Sequence, residues 1–211
     1  MKGTPPAAEF LGKTLEIDRR TREPPVEPGP RRYTVPLMIR KDVLRMPPVA
    51  LVDPSTIDTS RVLADREGIY RHNPQRFEME QLTAIVLIDQ KHKLIIGYKD
   101  VAADEFWVRG HMPDYPLMPG VLICEAAAQL SSYYCKATGL LEVGFVGFGG
   151  MEEVRFRGQV RPGDRLVLVG KGIRLHRRQS IFDVQGFVES NMVFHGKVIG
   201  VMITTPAESP G

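Results

Sequence analysis

Apolar and polar positions divide the chain near residue 70. Beyond that point, β-rich runs over 82–88 and 93–98 flank the polar stretch Asp89-Gln90-Lys91-His92, which predicts a β-hairpin. Residues 121–137 follow as a helical run, entered through Pro119-Gly120 and stopped by Gly139. Glu125 is the one charged residue between Val121 and Tyr134, and a helix apolar nearly all round is a buried one. Further β-like runs cover 143–148, 154–156, 165–169, 181–188 and 193–203, with an evident turn at Arg161-Pro162-Gly163-Asp164. Two strands, one long buried helix and then several strands predict an α+β fold in which a mostly antiparallel sheet wraps the helix.

The chain before residue 70 has another texture. Residues 1–60 hold 10 of the 17 prolines, and Arg19-Arg20-Thr21-Arg22-Glu23-Pro24-Pro25 reads as extended chain. Within it, 35–44 is apolar enough to dock. Residues 47–52 read as a short strand or a surface-hugging segment, and 60–68 as a short helix. The expected division is an extension over 1–65, a domain over 66–205 and a tail over 206–211.

Composition narrows the function. With 43% hydrophobic residues the chain can bury a sizeable core. A balance of 28 Lys+Arg against 25 Asp+Glu, without a basic block interleaved with aromatics, argues against nucleic acid. No apolar run is long enough to span a bilayer, and the first residues lack a signal-peptide core. Cys124 and Cys135 lie about 16 Å apart along the helix, too far for a disulfide, and read as free thiols in a reducing compartment. His72, His92, His176 and His195 show no metal-ligand spacing.

The chemistry concentrates between Gly110 and Gln129. Gly110 and Pro113 fix the backbone around His111, as suits an imidazole that must be aimed. Glu125 lies in the second turn of a buried helix, where an unpaired carboxylate is costly. It is either a functional acid or a structural partner of Gln129 at i+4. Gly120 puts an unpaired N–H at the positive end of the helix, where it would polarise a carbonyl, or it is merely a turn. His111 with Glu125 makes acid/base work the better reading. Arg174-Leu175-His176-Arg177-Arg178 forms a basic cluster at an expected hairpin, read as solvated charge or as a docking patch for an acidic partner.

Three segments carry a resemblance: Gly110-His111-Met112-Pro113, Pro116-Leu117-Met118-Pro119-Gly120-Val121-Leu122 and Glu125-Ala126-Ala127-Ala128-Gln129. Together with Arg155-Phe156 and Val160-Arg161-Pro162-Gly163-Asp164, they resemble the FabZ-type β-hydroxyacyl-acyl carrier protein (ACP) dehydratases over about residues 70–205. The resemblance implies a hot-dog fold, a cytoplasmic hydro-lyase of fatty-acid or lipid synthesis, and a substrate carried on the phosphopantetheine of ACP, with no metal or bound cofactor. It implies His111 as base, Glu125 as acid, Gly120 as thioester-binding donor, and Pro119 and Gln129 in support. It also implies a homodimer or trimer of dimers with sites shared between subunits. Trp107 and Met118 become candidates for lining an acyl tunnel or for core packing, and Arg177 and Arg178 candidates for docking ACP. Met112 stands where the family has an aromatic residue, and Gln75-Arg76-Phe77-Glu78 replaces its R-Y-P element. Competing readings are a hot-dog thioesterase, with Glu125 activating water, and a non-catalytic acyl-binding or assembly subunit.

Overall fold

A computed structural model describes residues 47–203. The expected 35–44 segment and the Pro-rich stretch lie outside the described residues.

Six strands form one antiparallel sheet: β1 (Ala84–Asp89), β2 (Leu94–Asp100), β3 (Phe145–Phe156), β4 (Arg165–Leu175), β5 (Gln179–Val188) and β6 (Asn191–Ile203), in the order β1-β2-β4-β5-β6-β3. The β1–β2 hairpin closes where the sequence predicts. Asp89 accepts the His92 N–H at 2.9 Å, and Lys93 takes the left-handed conformation that ends the turn. The short helix α1 (Arg66–Tyr70) precedes the sheet, and the long helix α2 (Gly120–Ala137) lies on its concave face. Ala126, Ala127 and Leu130 of α2 are fully buried against Ile85, Leu168, Phe182 and Phe194. Small residues on the helix let the sheet curl closely around it. This is the hot-dog arrangement that the resemblance implies.

Two elements differ from the sequence reading. Residues 143–148 and 154–156 join into one strand, β3, which pairs with β6 through bulges at Phe148/Gly150 and Glu152/Arg155. Its glycines interrupt the apolar pattern but serve the pairing: a Cβ on Gly147 would overlap the Ile203 side chain. The helix expected over 60–68 is instead α1, capped by Asp65 through the Gly68 N–H at 2.9 Å. Leu63 and Ala64 are drawn into extended chain by backbone hydrogen bonds to Ile85.

The outer face of the sheet is partly covered. Ala50, Leu51, Val52 and Ile57 pack on Ile96, Val169 and Phe187. Beneath them Gln185, buried, accepts the Leu51 N–H at 2.8 Å and donates to the Val49 carbonyl at 3.0 Å. Residues 47–52 are thus the surface-hugging segment, held by a side-chain amide in place of a strand ladder.

Candidate active site

His111 sits at the base of a tight loop. Its N–H donates to the Trp107 carbonyl at 2.8 Å, and its own carbonyl accepts the Leu117 N–H at 2.9 Å. The half-buried ring meets the Leu117 carbonyl through Nδ1 at 2.8 Å. A carbonyl only accepts, so Nδ1 carries the proton and the neutral ring keeps its lone pair on Nε2. The loop is pinned from outside. The Tyr115 hydroxyl donates to Gln159 at 3.0 Å, the Arg161 guanidinium lies 4.1 Å over the Tyr115 ring, and the Met118 N–H donates to Val160 at 2.8 Å. From below, Lys99 and Glu105 form an ion pair at 2.6 Å with side chains only 6% and 12% exposed. It ties the segment leading to Trp107 onto β2.

The loop runs into the N-terminus of α2. Pro119 is the cap residue and offers no side-chain acceptor. The Leu122 and Ile123 N–H groups reach its carbonyl, while those of Gly120 and Val121 have no acceptor among the described residues. Two donors at the positive end of a buried helix therefore stay available to a ligand oxygen. The close approach that Gly120 permits is that of Phe156: a Cβ there would lie 2.7 Å from the ring. The glycine thus makes room for an aromatic wall from the end of β3, a role the sequence reading did not give it.

Glu125 is half-buried one turn on. Its Oε1 accepts from Gln129 Nε2 at 2.8 Å. Gln129 also donates to the Met79 carbonyl at 2.7 Å and accepts the Gln81 N–H at 3.0 Å, while Asn73 donates to its backbone carbonyl at 3.0 Å. Every polar atom of the Gln129 side chain is engaged, so the carboxylate is held from one side by a fixed donor. Its other side faces a narrow cleft shared with Gln75, Ser131, Ser132 and Phe148. No hydrogen bond or ion pair joins Glu125 to His111 within the chain.

Trp107 and Met118 are buried in the main core, and the Trp107 Nε1–H has no partner among the described residues. Arg177 and Arg178 are exposed at the tip of the β4–β5 hairpin, closed by hydrogen bonds between His176 and Gln179. Both cysteines are free; burial raises the Cys124 thiol and pushes that of Cys135 up to about 11. Among the described residues no group of three His, Cys, Asp or Glu is placed to hold a metal, and no helix is long and apolar enough to cross a membrane. The partners Leu117, Gln81, Asn73 and Phe156 escaped the sequence reading. Leu117 and Phe156 left a signal only as members of the motif segments, without a role.

A long helix wrapped by an antiparallel sheet, entered through a histidine loop and an uncapped first turn, defines a hot-dog domain. Solved structures share that fold. A chain of the dehydratase heterocomplex ApeI:P from Xenorhabdus doucetiae superposes with a TM-score of 0.56 at 14% identity, covering 66% of this chain and 93% of that one. A sigma28-regulated virulence protein from Campylobacter jejuni gives 0.52 at 16% identity, over 71% and 97%. Sequence similarity is more specific. The FabA-like domain model matches residues 73–197. A relative from Sorangium cellulosum, named 3-hydroxyacyl-(acyl-carrier-protein) dehydratase FabZ, is 31% identical over 71% of this chain and 93% of its own length. One of the same name from Acinetobacter baylyi is 39% identical over 49% and 71%. The chain belongs to the FabA-like family and stands with its FabZ-type dehydratases.

Proposed function

We propose that this protein is a (3R)-hydroxyacyl-ACP dehydratase that forms the trans-2-enoyl thioester in fatty-acid or lipid synthesis. The observation that carries the reading is the hydrogen bond from His111 Nδ1 to the Leu117 carbonyl, which leaves a basic Nε2. The Gly120 N–H, at the uncapped helix end, receives the thioester oxygen and acidifies the C2 proton. His111 Nε2 removes that proton, and the electron pair forms the C2–C3 double bond as the C3 hydroxyl departs. Glu125 delivers the proton that makes the leaving group water, and Gln129 holds its carboxyl in position. The carbon skeleton stays intact, and no metal or redox cofactor enters this sequence of steps. The isomerising FabA-type dehydratases usually carry aspartate where this chain has Glu125, which favours plain dehydration.

Because His111 and Glu125 do not meet within one chain, the site is completed between copies. The outer edge of β3 has no strand partner among the described residues. Phe148 on that strand is 59% exposed, and Val121 beside the helix entry 75%. An unpaired 12-residue edge flanked by apolar side chains suits a homodimer through β3. The acyl carrier is the protein partner, received at Arg177 and Arg178; reversing both charges is expected to raise the KM for acyl-ACP several-fold and leave kcat unchanged. Free thiols and a carrier-bound substrate support a cytoplasmic setting.

The test is mass spectrometry of 3-hydroxyacyl-ACP incubated with the protein, run also from the enoyl side. Loss of one water from the acyl chain supports dehydration; release of free acid replaces it with thioester hydrolysis. A folded protein inert towards every chain length overturns the enzymatic reading.

A further inference from the structure

Away from His111, near the C-terminal end of α2, the fold gathers positive charge that it does not neutralise. A cleft of about 290 Å³ is lined by Tyr70, Arg71, His72, Arg76 and Lys136, with Asn73, Pro74, Gly144 and Phe145 completing it. Among the described residues, Arg71, Arg76 and Lys136 have no carboxylate within 4.0 Å. The nearby acid, Glu80, is already engaged: it accepts the Phe77 N–H at 2.9 Å, bonds the Tyr70 hydroxyl and faces Arg66 at 3.6 Å.

The cations are held in place by backbone carbonyls. Arg76 donates through Nη1 to Asn73 and Gln75 and through Nη2 to Tyr70, and lies 4.5 Å over the Tyr70 ring. Lys136 donates to the Gly144 carbonyl at 2.8 Å. These bonds fix the positions of the charges without cancelling them. Among the described residues, donors remain unused: Nε of Arg76, the ammonium hydrogens of Lys136 beyond the one given to Gly144, and the whole guanidinium of Arg71, which is exposed. The repulsion registers on His72, whose ring packs edge-on against Tyr133 at 5.0 Å. Burial and then the charges of Lys136 and Arg71 hold its pKa below the usual histidine range. Three like charges pre-positioned around one small cleft are destabilising when empty and complementary to a compact dianion.

We propose that this cleft is an anion site built for a phosphoryl group, free or esterified. Arg71, Arg76 and Lys136 supply the charge, and backbone carbonyls hold Arg76 and Lys136 in place. The site is separate from the His111 loop, and the inference does not rest on the dehydratase reading.

Isothermal titration of the full chain, at ionic strength held constant with potassium chloride, tests it with three probes: inorganic phosphate, glycerol 3-phosphate and glycerol. Saturable one-site binding of the two phosphates, with none for glycerol, is expected. Arg71→Glu, which removes no contact within the fold, is expected to weaken binding about tenfold or more, by loss of a charge-assisted hydrogen bond and introduction of a repelling charge. Lys136→Gln acts in the same direction. Lys91→Glu, at the exposed turn of the β1–β2 hairpin, serves as the hairpin control and leaves binding unchanged. Equal affinity for both phosphates assigns free phosphate as a sufficient ligand; preference for the ester assigns an esterified one. The proposal is overturned if no binding exceeds that of chloride, if Arg71→Glu binds as well as the parent, or if the hairpin variant loses binding equally.

Discussion

The two ends of α2 solve the same problem in opposite ways. Every helix leaves backbone groups without partners at each end. At the C-terminus of α2 they are collected: the Thr138 N–H and hydroxyl both donate to Tyr134, Gly139 donates to Lys136, and Leu141 donates to Cys135. Gly139, at φ +70°, makes the left-handed turn that this closure needs. At the N-terminus, Pro119 supplies only its carbonyl, and Gly120 and Val121 keep free donors. The closed end contributes stability. The open end forgoes a cap worth about 1 kcal/mol and leaves the donors that the proposed mechanism turns on a developing negative charge.

Substitutions separate the two ends. His111→Ala is expected to lower kcat by about 10²- to 10⁴-fold by removing the proposed general base, with a small change in thermal midpoint. Steady-state rates beside a melting curve decide this, and a variant that keeps full activity removes His111 from the mechanism. Glu105→Ala should have the largest effect on stability. It leaves Lys99 charged and buried, at a cost of about 3–5 kcal/mol, read from urea unfolding. Gly120→Ala forces a methyl group against Phe156 and should cost about 1–3 kcal/mol while impairing turnover. Adding Phe156→Ala tests the steric account, which fails if the double variant recovers no stability. Gly139→Ala places a side chain at positive φ and should cost about 1 kcal/mol with kinetics intact. A change in KM or kcat there would end the division of labour between the helix ends.

The parts of the fold legible in the sequence are those set by local pattern. The single carboxylate in 121–137 and the Pro-Gly entry revealed a buried helix, and the polar break at 89–92 revealed the hairpin. The continuity of β3 was hidden because Gly147, Gly149 and Gly150 erase its alternation, and only pairing with β6 makes it a strand. The same division runs through the site. His111, Gly120 and Glu125 stood out as residue types in a spaced motif. What positions them stood out only in part: Gln129 is the expected i+4 partner of Glu125, but its own anchors Met79 and Gln81 lie about fifty positions away, and Leu117 acts through a backbone carbonyl that any residue offers.

Gln185 bears on where this protein can be cut. The FabA-like domain match begins at residue 73, whereas the chain already lies on the sheet at residues 49–52. A fragment trimmed to the family boundary would strand a buried amide without Leu51 and Val49. It would also bare Ile96, Val169 and Phe187 as a contiguous apolar surface. Such a fragment would keep His111, Gly120 and Glu125 and yet be prone to clump, because the matched domain begins inside the physical boundary of the fold.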